Sequence, residues 1–600
     1  MAIFPKDSPQ NYTEKGVYLK KKMEDFYMSS NNAMSQFWSE ASLDSRFEAG
    51  DQDVYFELHP EVPDVYRKQF NFNRIRRVVN MMSGYQRRNR NTTIVIPVEN
   101  GDQETADQYT KIISHINRKK GVLETVSNAF SDAIISGMSL LHLWNDYRED
   151  PVSGSLTVDN CSYNSFIIDP FFKKADLSDC SSIWKRSYLT KEQVISLVPE
   201  RKSEINSLVG DYSDNKFSFM PEMLTFNKDK LLAYDEFYYM DSRKQTILID
   251  SVTGETMQWS RDSKDDEQEL KEYLNLYPSI TKTSQRIPSV KLAIVVNGSV
   301  IYDGYNPLGI DRYPFVPVLA YFRPSLQTFS MRIQSVVRGL RDSQFLYNRG
   351  KVLMHDNLSS QVNSGYKYKA EALVDPNDVF ASGNGKGIAI KPSSEMADVE
   401  KIQPGQLPPS WFRLSEGDAN FFREPLLALM YSSGSAIDDK AGVLAMLRQG
   451  AGLTTLQPLF DNLDYAQKVL GSIMIDAIAE NYTPGKVKRI IEEEPSPQFF
   501  NRAFGKYDAA IEQGFLTTTQ RENEFIQLIQ LQKLGISIPY ETLIEAATIQ
   551  NKSKLIATIQ KREQMANAQK QQVADVTQRL QEAQTNLANA KVESDLSLAK

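Results

Sequence analysis

The stretch around which this chain is organised spans residues 408–485, where apolar residues recur at helical spacing. In its second half, residues 456–482, an apolar residue stands at every third or fourth position, as in a helix with a buried face. These positions are Leu456, Leu459, Phe460, Leu463, Ala466, Leu470, Ile473, Met474 and Ala477. Val469, Ile475 and Ile478 lie off that face, so the predicted helix is apolar on two sides. Such a helix has two sets of neighbours, either in an ordinary domain core or at a contact between subunits.

A first helix is predicted over residues 410–430, because Pro408 and Pro409 cannot continue an earlier helix and Ser410 is a suitable N-cap. Between the two helices, residues 431–455 are rich in small side chains and are interrupted by four glycines. These are Gly434, Gly442, Gly450 and Gly452. The pattern predicts a mobile loop or a broken helix between two regular helices.

The second helix has its own start signal. Thr454 or Thr455 can cap it, and Pro458 then falls in the first helical turn. Proline is tolerated there because the N–H groups of the first turn have no partner within the helix. We therefore expect regular helix only from about residue 456 onward.

The chain before residue 323 alternates helical and strand-like patterns, which indicates an α+β region. Helices are predicted over residues 12–49, 71–91, 106–118 and 122–137, and strands over 94–98, 139–144, 155–169, 184–189, 234–239, 245–251, 292–296 and 299–302. A long helix is predicted over 331–358, followed by a Gly- and Pro-rich stretch with short β-runs. Beyond the central stretch, short strands are predicted at 487–491 and 508–511, and helix from 517 to 600.

The helix predicted over residues 71–91 is the most basic part of the chain. Its arginines are Arg74, Arg76, Arg77, Arg87, Arg88 and Arg90. They form either a patch for nucleic acid or a solvated helix face that pairs with acidic neighbours. The chain as a whole carries a net charge of −7, which favours the second interpretation. Any contact of this protein with DNA should therefore be weak, local or transient.

The length of 600 residues predicts several domains, and the 41% hydrophobic and 24% charged content is typical of a globular protein. No apolar run approaches the length of a transmembrane helix, so no membrane contact is expected. The two cysteines, Cys161 and Cys180, indicate a reducing compartment without a disulfide framework.

No motif of known catalytic chemistry is present. The four histidines, at positions 59, 115, 142 and 355, are far apart, and no zinc-protease, nucleophile-elbow or P-loop motif occurs. The glycine-rich run 383–387 resembles a β-turn more than a phosphate loop. Asp235 and Glu236 are adjacent carboxylates that could hold a metal, but such pairs are usually solvated. We expect no catalytic, cofactor or metal site, and this favours a structural assembly protein over an enzyme.

Several segments together resemble the portal protein, or head-to-tail connector, of short-tailed bacteriophages in its large form. The residues on which the resemblance rests are Glu40, Phe47-x-x-Gly50-Asp-Gln52, Asn80-Met-Met-Ser-Gly84-Tyr-Gln-Arg-Arg-Asn89-Arg90 leading to Pro97, Phe166-Ile-Ile-Asp169-Pro170 and Asp176-Leu-Ser-Asp179. They continue with Val337-Arg-Gly-Leu-Arg-Asp342-Ser-Gln344, Asn348-Arg349, Gln449-Gly450, Leu459-Phe460-Asp461-Asn462-Leu463, Lys506-Tyr507-Asp508 and Thr519-Gln-Arg521-Glu522. No single motif is specific, but their order covers residues 40–525. The pattern departs at Gly514-Phe515-Leu516, where a glycine–proline pair is expected.

The resemblance implies a division of the α+β chain into the parts of a portal subunit. Residues 1–330 would form the wing, 331–359 the first stem helix, 360–409 the clip and 410–431 the second stem helix. Residues 432–455 would form the tunnel loop, 456–516 the long wing helix with return strands, and 517–600 the crown and helical barrel. The two-sided apolarity of residues 456–482 then predicts a subunit interface.

The resemblance also implies partners and a place of action. The protein would form a ring of about twelve copies around an axial channel at the capsid vertex. It would contact viral double-stranded DNA transiently, dock the terminase motor and tail adaptor proteins, and contact the major capsid protein. We expect it in the virion, and in the host cytoplasm during assembly.

Three groups of residues are expected at functional positions. Lys440, Arg448 and Gln449 are the long polar side chains of the tunnel loop and should lie near the channel. Arg338, Arg341 and Arg349 lie in the first stem helix and should face DNA or a neighbouring subunit. The hinges of the loop would be Gly434, Gly450 and Gly452.

Two other classes of function remain open. The chain could be a nucleic-acid-processing enzyme with an unrecognised active site, or a fibrous scaffold built on the polar helix at its C-terminus. The long α+β region argues against the scaffold.

Overall fold

The chain divides into two compact units, Met1–Glu512 and Gln513–Lys600. The computed structural model describes residues 12–54, 71–98, 101–148, 150–152, 154–208, 231–251, 256–259, 264–362, 365–379, 387–402, 439–497, 499–500, 506–512 and 579–587, and single positions 410, 413, 417, 528, 532, 543, 559, 589 and 591. In the second unit the described residues are helical, in agreement with the helix predicted from residue 517. The following paragraphs concern the first unit.

Helices and strands alternate along the first unit. Its α-helices are α1 (Tyr12–Ala49), α2 (Ile75–Arg88), α3 (Gln103–Lys120), α4 (Val122–Ser136), α5 (Lys191–Leu197), α6 (Lys202–Ser207), α7 (Lys264–Leu276), α8 (Phe329–Arg332), α9 (Arg341–Val362), α10 (Asp439–Asn481) and α11 (Pro484–Ile491). Short 3-10 turns cover Pro199–Arg201, Val337–Leu340, Pro376–Val379 and Met396–Asp398.

The strands, in chain order, are β1 (Thr92–Val98), β2 (Met138–Asp146), β3 (Ser155–Cys161), β4 (Phe166–Ile168), β5 (Ser182–Thr190), β6 (Leu231–Asp250), β7 (Thr256–Trp259), β8 (Ile280–Val296), β9 (Ser299–Tyr305), β10 (Phe315–Leu319), β11 (Tyr321–Phe322), β12 (Ile333–Gln334), β13 (Tyr366–Tyr368), β14 (Val399–Lys401) and β15 (Lys506–Glu512). Together with the helices they confirm the α+β class predicted from the sequence.

Antiparallel pairing holds the strands in five sheets. The largest has the order β4-β5-β6-β8-β9, and β7 pairs with the end of β6. A three-stranded sheet has the order β10-β2-β3, and the other pairs are β1 with β15, β11 with β12, and β13 with β14. Strands β6 and β8 pair continuously from Tyr234 opposite Val296 to Asp250 opposite Ile280. The two strands predicted at 234–239 and 245–251 are therefore one long strand.

The sheet β10-β2-β3 separates two hydrophobic cores, because alternate residues of a strand face opposite sides. On β2, Leu141 and Leu143 belong to the core that contains α2, α3, α4 and α10. Met138 and Leu140 belong to the core that contains α1 and the largest sheet. This explains why β2 is almost wholly apolar: both of its faces are covered.

Helix α10 lies between two sheets, and this explains why it is apolar on two sides. It contacts β15 and β1 as well as β10 and β3. Ile475 and Ile478, which lie off its main apolar face, are both buried within this one chain. Gly471 allows the close approach to the β1–β15 pair, since a Cβ there would lie 2.5 Å from Cγ2 of Thr93. The second apolar side, predicted to meet a neighbouring subunit, is therefore covered within the subunit itself.

Two helix boundaries differ from those expected. The helix predicted over 331–358 begins only at Arg341, after β12 and a 3-10 turn. Ile333 and Gln334 instead pair with β11, and this tertiary pairing overrides their helical spacing. Conversely, α10 begins at Asp439 rather than near residue 456, so Pro458 lies inside the helix. The Ala-, Leu- and Met-rich run 441–447 favours helix, and one glycine costs a helix only about 1 kcal/mol relative to alanine.

The strand predicted at 487–491 is wrong, because these residues belong to helix α11. Pro484 occupies the first helical position after Thr483, where proline is favoured. Val487 and Ile491 are buried one helical turn apart. Five residues with three apolar side chains fit both periods, and the proline at the start was the signal for helix.

Candidate functional site

Charged side chains from α1 meet the beginning of α9. Glu40 and Asp44 stand one turn apart on α1, and Arg338 and Arg341 stand in the 3-10 turn and at the start of α9. Nε of Arg341 lies 3.2 Å from Oδ1 of Asp44, and Nε of Arg338 lies 3.6 Å from Oε2 of Glu40. Arg341 Nη2 also donates to Glu40. Together with Ser335, these four residues form what we term the α1–α9 junction.

Further hydrogen bonds hold Arg338 and Asp44 of the junction in place. Ser335 Oγ donates to Oδ2 of Asp44 at 2.7 Å and accepts from the backbone N–H of Arg338 at 2.9 Å. Arg338 Nη1 donates to the carbonyl of Ser330 at 2.6 Å. The side chains of Arg338 and Arg341 are only 17% and 13% exposed. Both arginines, expected to face DNA or a neighbouring subunit, thus contact α1 of their own chain.

Burial decides the ionisation of Asp44. The side chain is fully buried, and this desolvation raises its pKa from the usual 3.8 to about 6, against the opposing effects of Arg341, Ser335 and Arg338. Water is a better solvent for a carboxylate than the protein interior, even with two guanidinium groups nearby. The junction therefore contains a carboxyl group that titrates near pH 6.

Gln344, one turn further along α9, caps helix α2. Its Oε1 accepts from the backbone N–H of Arg74 at 2.8 Å and from that of Ile75 at 3.3 Å. Its Nε2 donates to the carbonyl of Phe72 at 3.1 Å and to Oδ1 of Asn348 at 2.9 Å. The first N–H groups of a helix lack partners within the helix, and the side chain of Arg74 itself accepts none of them. Asn73 accepts from the backbone N–H of Arg76 at 2.9 Å, and Gln344 of α9 takes those of Arg74 and Ile75.

Asn348 continues this network to the end of α1. Its Oδ1 accepts from the backbone N–H of Phe72 at 3.2 Å, and its Nδ2 donates to Gln52. Gln52 Nε2 donates to the carbonyl of Phe47 at 3.2 Å. We term Gln52, Phe72, Gln344 and Asn348 the Gln344 network.

The junction and the network bring together residues from motifs that lie far apart in the sequence. Glu40, Phe47 and Gln52 come from one motif of the family resemblance, and Arg338 to Asn348 come from another. Asp44 and Ser335 were missed by the sequence analysis. The available signal was the spacing of Glu40 and Asp44, four residues apart on one face of a helix. Chemically, the arrangement fastens the first turns of α9 to α1 and α2.

Most of the arginines around α2 have partners in the same chain. Arg76 Nε lies 3.0 Å from Glu48 Oε1, and Arg74 Nη2 donates to Tyr347 Oη at 2.8 Å. Arg87 donates to Asn128 at 2.6 Å, and Arg90 to Ser127 at 3.1 Å. Within the described residues, only Arg76 of these four pairs with a carboxylate, and Arg76 and Arg87 are exposed, so the pairing alone does not choose between a solvated helix face and a patch for nucleic acid.

Other predicted site residues are placed only in part. Lys440, Arg448 and Gln449 belong to α10, as do Gly450 and Gly452. Their side-chain positions and Gly434 lie outside the described residues. Arg349 is exposed on α9.

Of the adjacent carboxylates, Asp235 is buried and Glu236 half-buried, and both are ion-paired across the sheet. Arg186 binds Asp235 in a two-pronged arrangement, with Nε–Oδ1 and Nη2–Oδ2 distances of 2.6 and 2.8 Å. Lys185 lies 3.4 Å from Glu236. Within the described parts of the chain, no cluster of His, Cys, Asp and Glu has the arrangement of a metal site.

The two cysteines are free and buried, as the absence of a disulfide framework predicts. Burial raises the pKa of the Cys161 thiol to about 11 and raises that of Cys180 further. Both thiols are therefore protonated near neutral pH and unreactive. No helix among the described residues is long and apolar enough to cross a membrane.

Comparison with protein families favours the structural interpretation over the enzymatic one. The model of the phage P22-like portal protein family matches residues 24–597, nearly the whole chain. The chain belongs to this family. No curated protein matches it.

Membership makes the protein a phage portal protein, the head-to-tail connector of the virion. The family is structural and non-enzymatic, and it implies an oligomeric ring at the capsid vertex that docks with capsid, terminase and tail proteins. The α1–α9 junction and the Gln344 network are accordingly the candidate mechanical elements of a portal subunit.

Proposed function

We propose that this portal protein assembles from about twelve copies into a closed ring whose axial channel conducts DNA during packaging and ejection. Residues 1–330 would form most of the wing, with α10 and α11 packed into it. Residues 360–409 would form the clip that docks terminase and later the tail adaptors, and residues 517–600 the crown and barrel. Assembly would take place in the host cytoplasm before the particle is complete.

The observation that carries the proposal is the family match over residues 24–597. The packing of α10 supports the assignment of residues 456–481 to the wing, because this helix fills the core shared with α3 and α4. The paired strands β13 and β14 support a small β-containing clip, since they bring residues 366 and 401 together at its base.

In a conduit of this kind, α9 would be the first stem helix and the α1–α9 junction its anchor to the wing. Translocating DNA and the attached motor would exert force on the stem. An anchor at the foot of α9, made of ion pairs and of hydrogen bonds from amide side chains, would transmit that force to the wing. Arg338 and Arg341 would serve this anchor. Arg349, which is exposed further along the helix, would face DNA or the adjacent subunit.

The channel-facing segment would be residues 432–455, with Lys440, Arg448 and Gln449 meeting the DNA and residues 410–431 forming the second stem helix. Gly434, Gly450 and Gly452 would let this segment change shape as the DNA passes. The net charge of −7 fits a conduit, because each phosphate that a channel neutralises adds salt-dependent affinity that would slow translocation.

Mass measurement of the purified protein, together with electron microscopy of the particles, tests the ring. A closed assembly of about a dozen subunits with a central opening is expected. A monomer that cuts or modifies DNA would refute the proposal and support the enzyme alternative.

The channel assignment needs a separate experiment. Lys440→Glu with Arg448→Glu should change DNA packaging or retention in assembled particles while the ring still forms. The matched control reverses two exposed charges on β8, Lys282→Glu with Arg286→Glu. Equal packaging by both double variants would contradict the assignment of the channel residues.

A further inference from the structure

A cleft of about 460 Å³ lies between α3, α11 and the connection from β2 to β3. Its polar and charged lining residues are His115, Lys119, Lys120, Asp150, Ser155, Tyr482, Lys486 and Arg489. Sites for small molecules typically have volumes of about 300–1,000 Å³, so the α3–α11 cleft, as we term it, is large enough for one. It lies outside the α1–α9 junction and the Gln344 network.

Cations outnumber carboxylates in the lining of this cleft. Lys119 and Lys120 end α3, while Lys486 and Arg489 stand one turn apart on α11. Against these four cations, Asp150 is the single carboxylate among the described lining residues, and it lies 3.4 Å from Arg489. Lys120 also pairs, at 3.5 Å, with Asp146 just outside the lining. Two helices thus place an excess of positive charge around one concave space, which concentrates the electrostatic potential there.

Lys486 is the most unusual member of the cluster, because its side chain is buried. Its Nζ donates to the carbonyl of Gly154 and lies 3.8 Å from the centroid of the Tyr482 ring. Burial, with the positive charges of Arg489, Lys119 and Lys120, lowers its pKa to about 8, although Asp150 acts in the opposite direction. A buried cation among other cations is costly for the fold, and an anion in the cleft would offset that cost.

A purely structural explanation covers only part of the cluster. Lysines at the end of a helix interact favourably with its dipole, and this accounts for Lys119 and Lys120 at the end of α3. It also accounts for Arg489 in the last turn of α11, but not for Lys486 in the first half of that helix. Two close partners of Lys486, the carbonyl of Gly154 and the ring of Tyr482, are both uncharged and do not neutralise it. The convergence of the two helices on one cavity therefore points to a ligand.

We propose that the α3–α11 cleft binds a small polyanion that carries phosphate groups, with Lys119 and Arg489 at its exposed edge and Lys486 at its buried end. A phosphate group carries about −1.5 to −2 charges near pH 7, more than a carboxylate, and so matches a cluster of several cations better. Arginine binds phosphate oxygens through paired N–H groups and lysine binds them as a point charge. A free phosphate compound and the backbone of DNA share this chemistry, and the inference goes beyond the conduit function.

Calorimetric titration of the assembled protein with inorganic tripolyphosphate tests the proposal. The double variant Lys119→Ala with Arg489→Ala removes one cation from each helix that lines the cleft. The matched control, Lys111→Ala with Lys488→Ala, removes one exposed cation from each of the same helices, and neither residue lines the cleft. We expect the cleft variant to bind at least tenfold more weakly than the wild type and the control variant to stay within twofold of it.

Two further ligands distinguish the sources of the phosphate. The first is a short DNA duplex at fixed salt. If only the cleft variant binds the duplex more weakly than the wild type does, and tripolyphosphate binds weakly to the wild type, the ligand of the cleft is the phosphate of the DNA backbone. Citrate, a polyanion without phosphate, should bind more weakly than tripolyphosphate, and equal affinity would overturn the assignment to phosphate. The whole proposal is overturned if neither phosphate ligand binds the wild type, or if cleft and control variants bind alike. Mass measurement of each variant shows separately whether the ring is intact.

Discussion

Replacement of Arg341 by methionine should loosen the foot of α9 in a way that can be measured locally. The change removes the guanidinium that donates to Glu40 and lies 3.2 Å from Asp44, while it keeps most of the apolar length of the side chain. Loss of a hydrogen bond to a charged group costs about 1.5–3 kcal/mol. The second contribution is the additional cost of leaving Asp44 buried with one cation fewer.

Protonation limits that second cost. Each pKa unit between the folded and unfolded states corresponds to about 1.4 kcal/mol, and Asp44 already titrates near pH 6 instead of 3.8. Without Arg341 its pKa rises further, but at pH 7 the penalty stops growing once the group is protonated. At pH 7 the raised pKa of Asp44 lowers the unfolding free energy of the wild type by roughly 3 kcal/mol and that of the variant by at most roughly 4.4 kcal/mol. The changed ionisation of Asp44 therefore adds at most about 1.4 kcal/mol to the effect of the substitution. The expected total is about 3 kcal/mol, less than for a pair that cannot be neutralised.

Hydrogen exchange of the assembled protein at pH 7 measures this change where it occurs. A loss of about 3 kcal/mol corresponds to roughly a hundredfold faster exchange at amides in the first turns of α9 that open locally. The control is Asp356→Asn, which removes an exposed charge from the same helix and should leave exchange within about twofold of the wild type. Equal exchange in the two variants would refute the anchoring role of Arg341.

Three further predictions concern stability. Asp44→Asn should remove a proton-linked contribution: because the folded state raises the pKa of Asp44 to about 6, this contribution favours folding below about pH 4 and is lost as the pH rises through 6, by roughly 3 kcal/mol. The difference in unfolding free energy between wild type and variant, measured from pH 4 to pH 7.5, should therefore change in favour of the variant as the pH rises. A difference that stays constant would contradict the assigned titration. Gln344→Met should lower the unfolding free energy by about 2–4 kcal/mol, since it leaves the N–H groups of Arg74 and Ile75 without an acceptor. The control Asp342→Asn, on the exposed side of α9, should have little effect in the same denaturation experiment. Gly471→Ala should lower the melting temperature, because overpacking against Thr93 costs about 1–3 kcal/mol and exceeds the gain in helix propensity; Gly350→Ala, with open space around its Cβ, should raise it, and a rise in both would refute the close packing.

The hydrophobic pattern predicted most of the elements that bury a single face. Helices α1, α3 and α4 and strand β3 follow from it, because burial on one side gives a clear period. The pattern was misleading where one residue serves two purposes. Ile333 and Val337 keep helical spacing, yet Ile333 pairs with β11 and Val337 lies in a 3-10 turn. The spacing of apolar residues cannot distinguish a helix from a strand or a 3-10 turn at these two positions, because the side chain is buried in each case.

The candidate site was predictable only as separate motifs. Glu40 and Arg341 are 301 positions apart, and nothing in either local sequence specifies that they touch. The family resemblance marked the segments that contain them, but it assigned the arginines outward, to DNA or a neighbouring subunit. The decisive partner, Asp44, is buried near the C-terminal end of a long helix, where an acidic residue is ordinarily taken as part of a solvated face.

The packing of α10 has a consequence for how the ring can be held together. Its second apolar side was the strongest sequence argument for a subunit interface, yet Ile475 and Ile478 are covered by the same chain. Apolar area that is already buried inside a subunit contributes nothing further when subunits associate, because only surface removed from water on association counts. Substitutions on either side of α10 therefore act on the folding of the subunit first. Ring contacts must be sought on surfaces that one chain leaves exposed, and the hydrophobic pattern of α10 does not identify them.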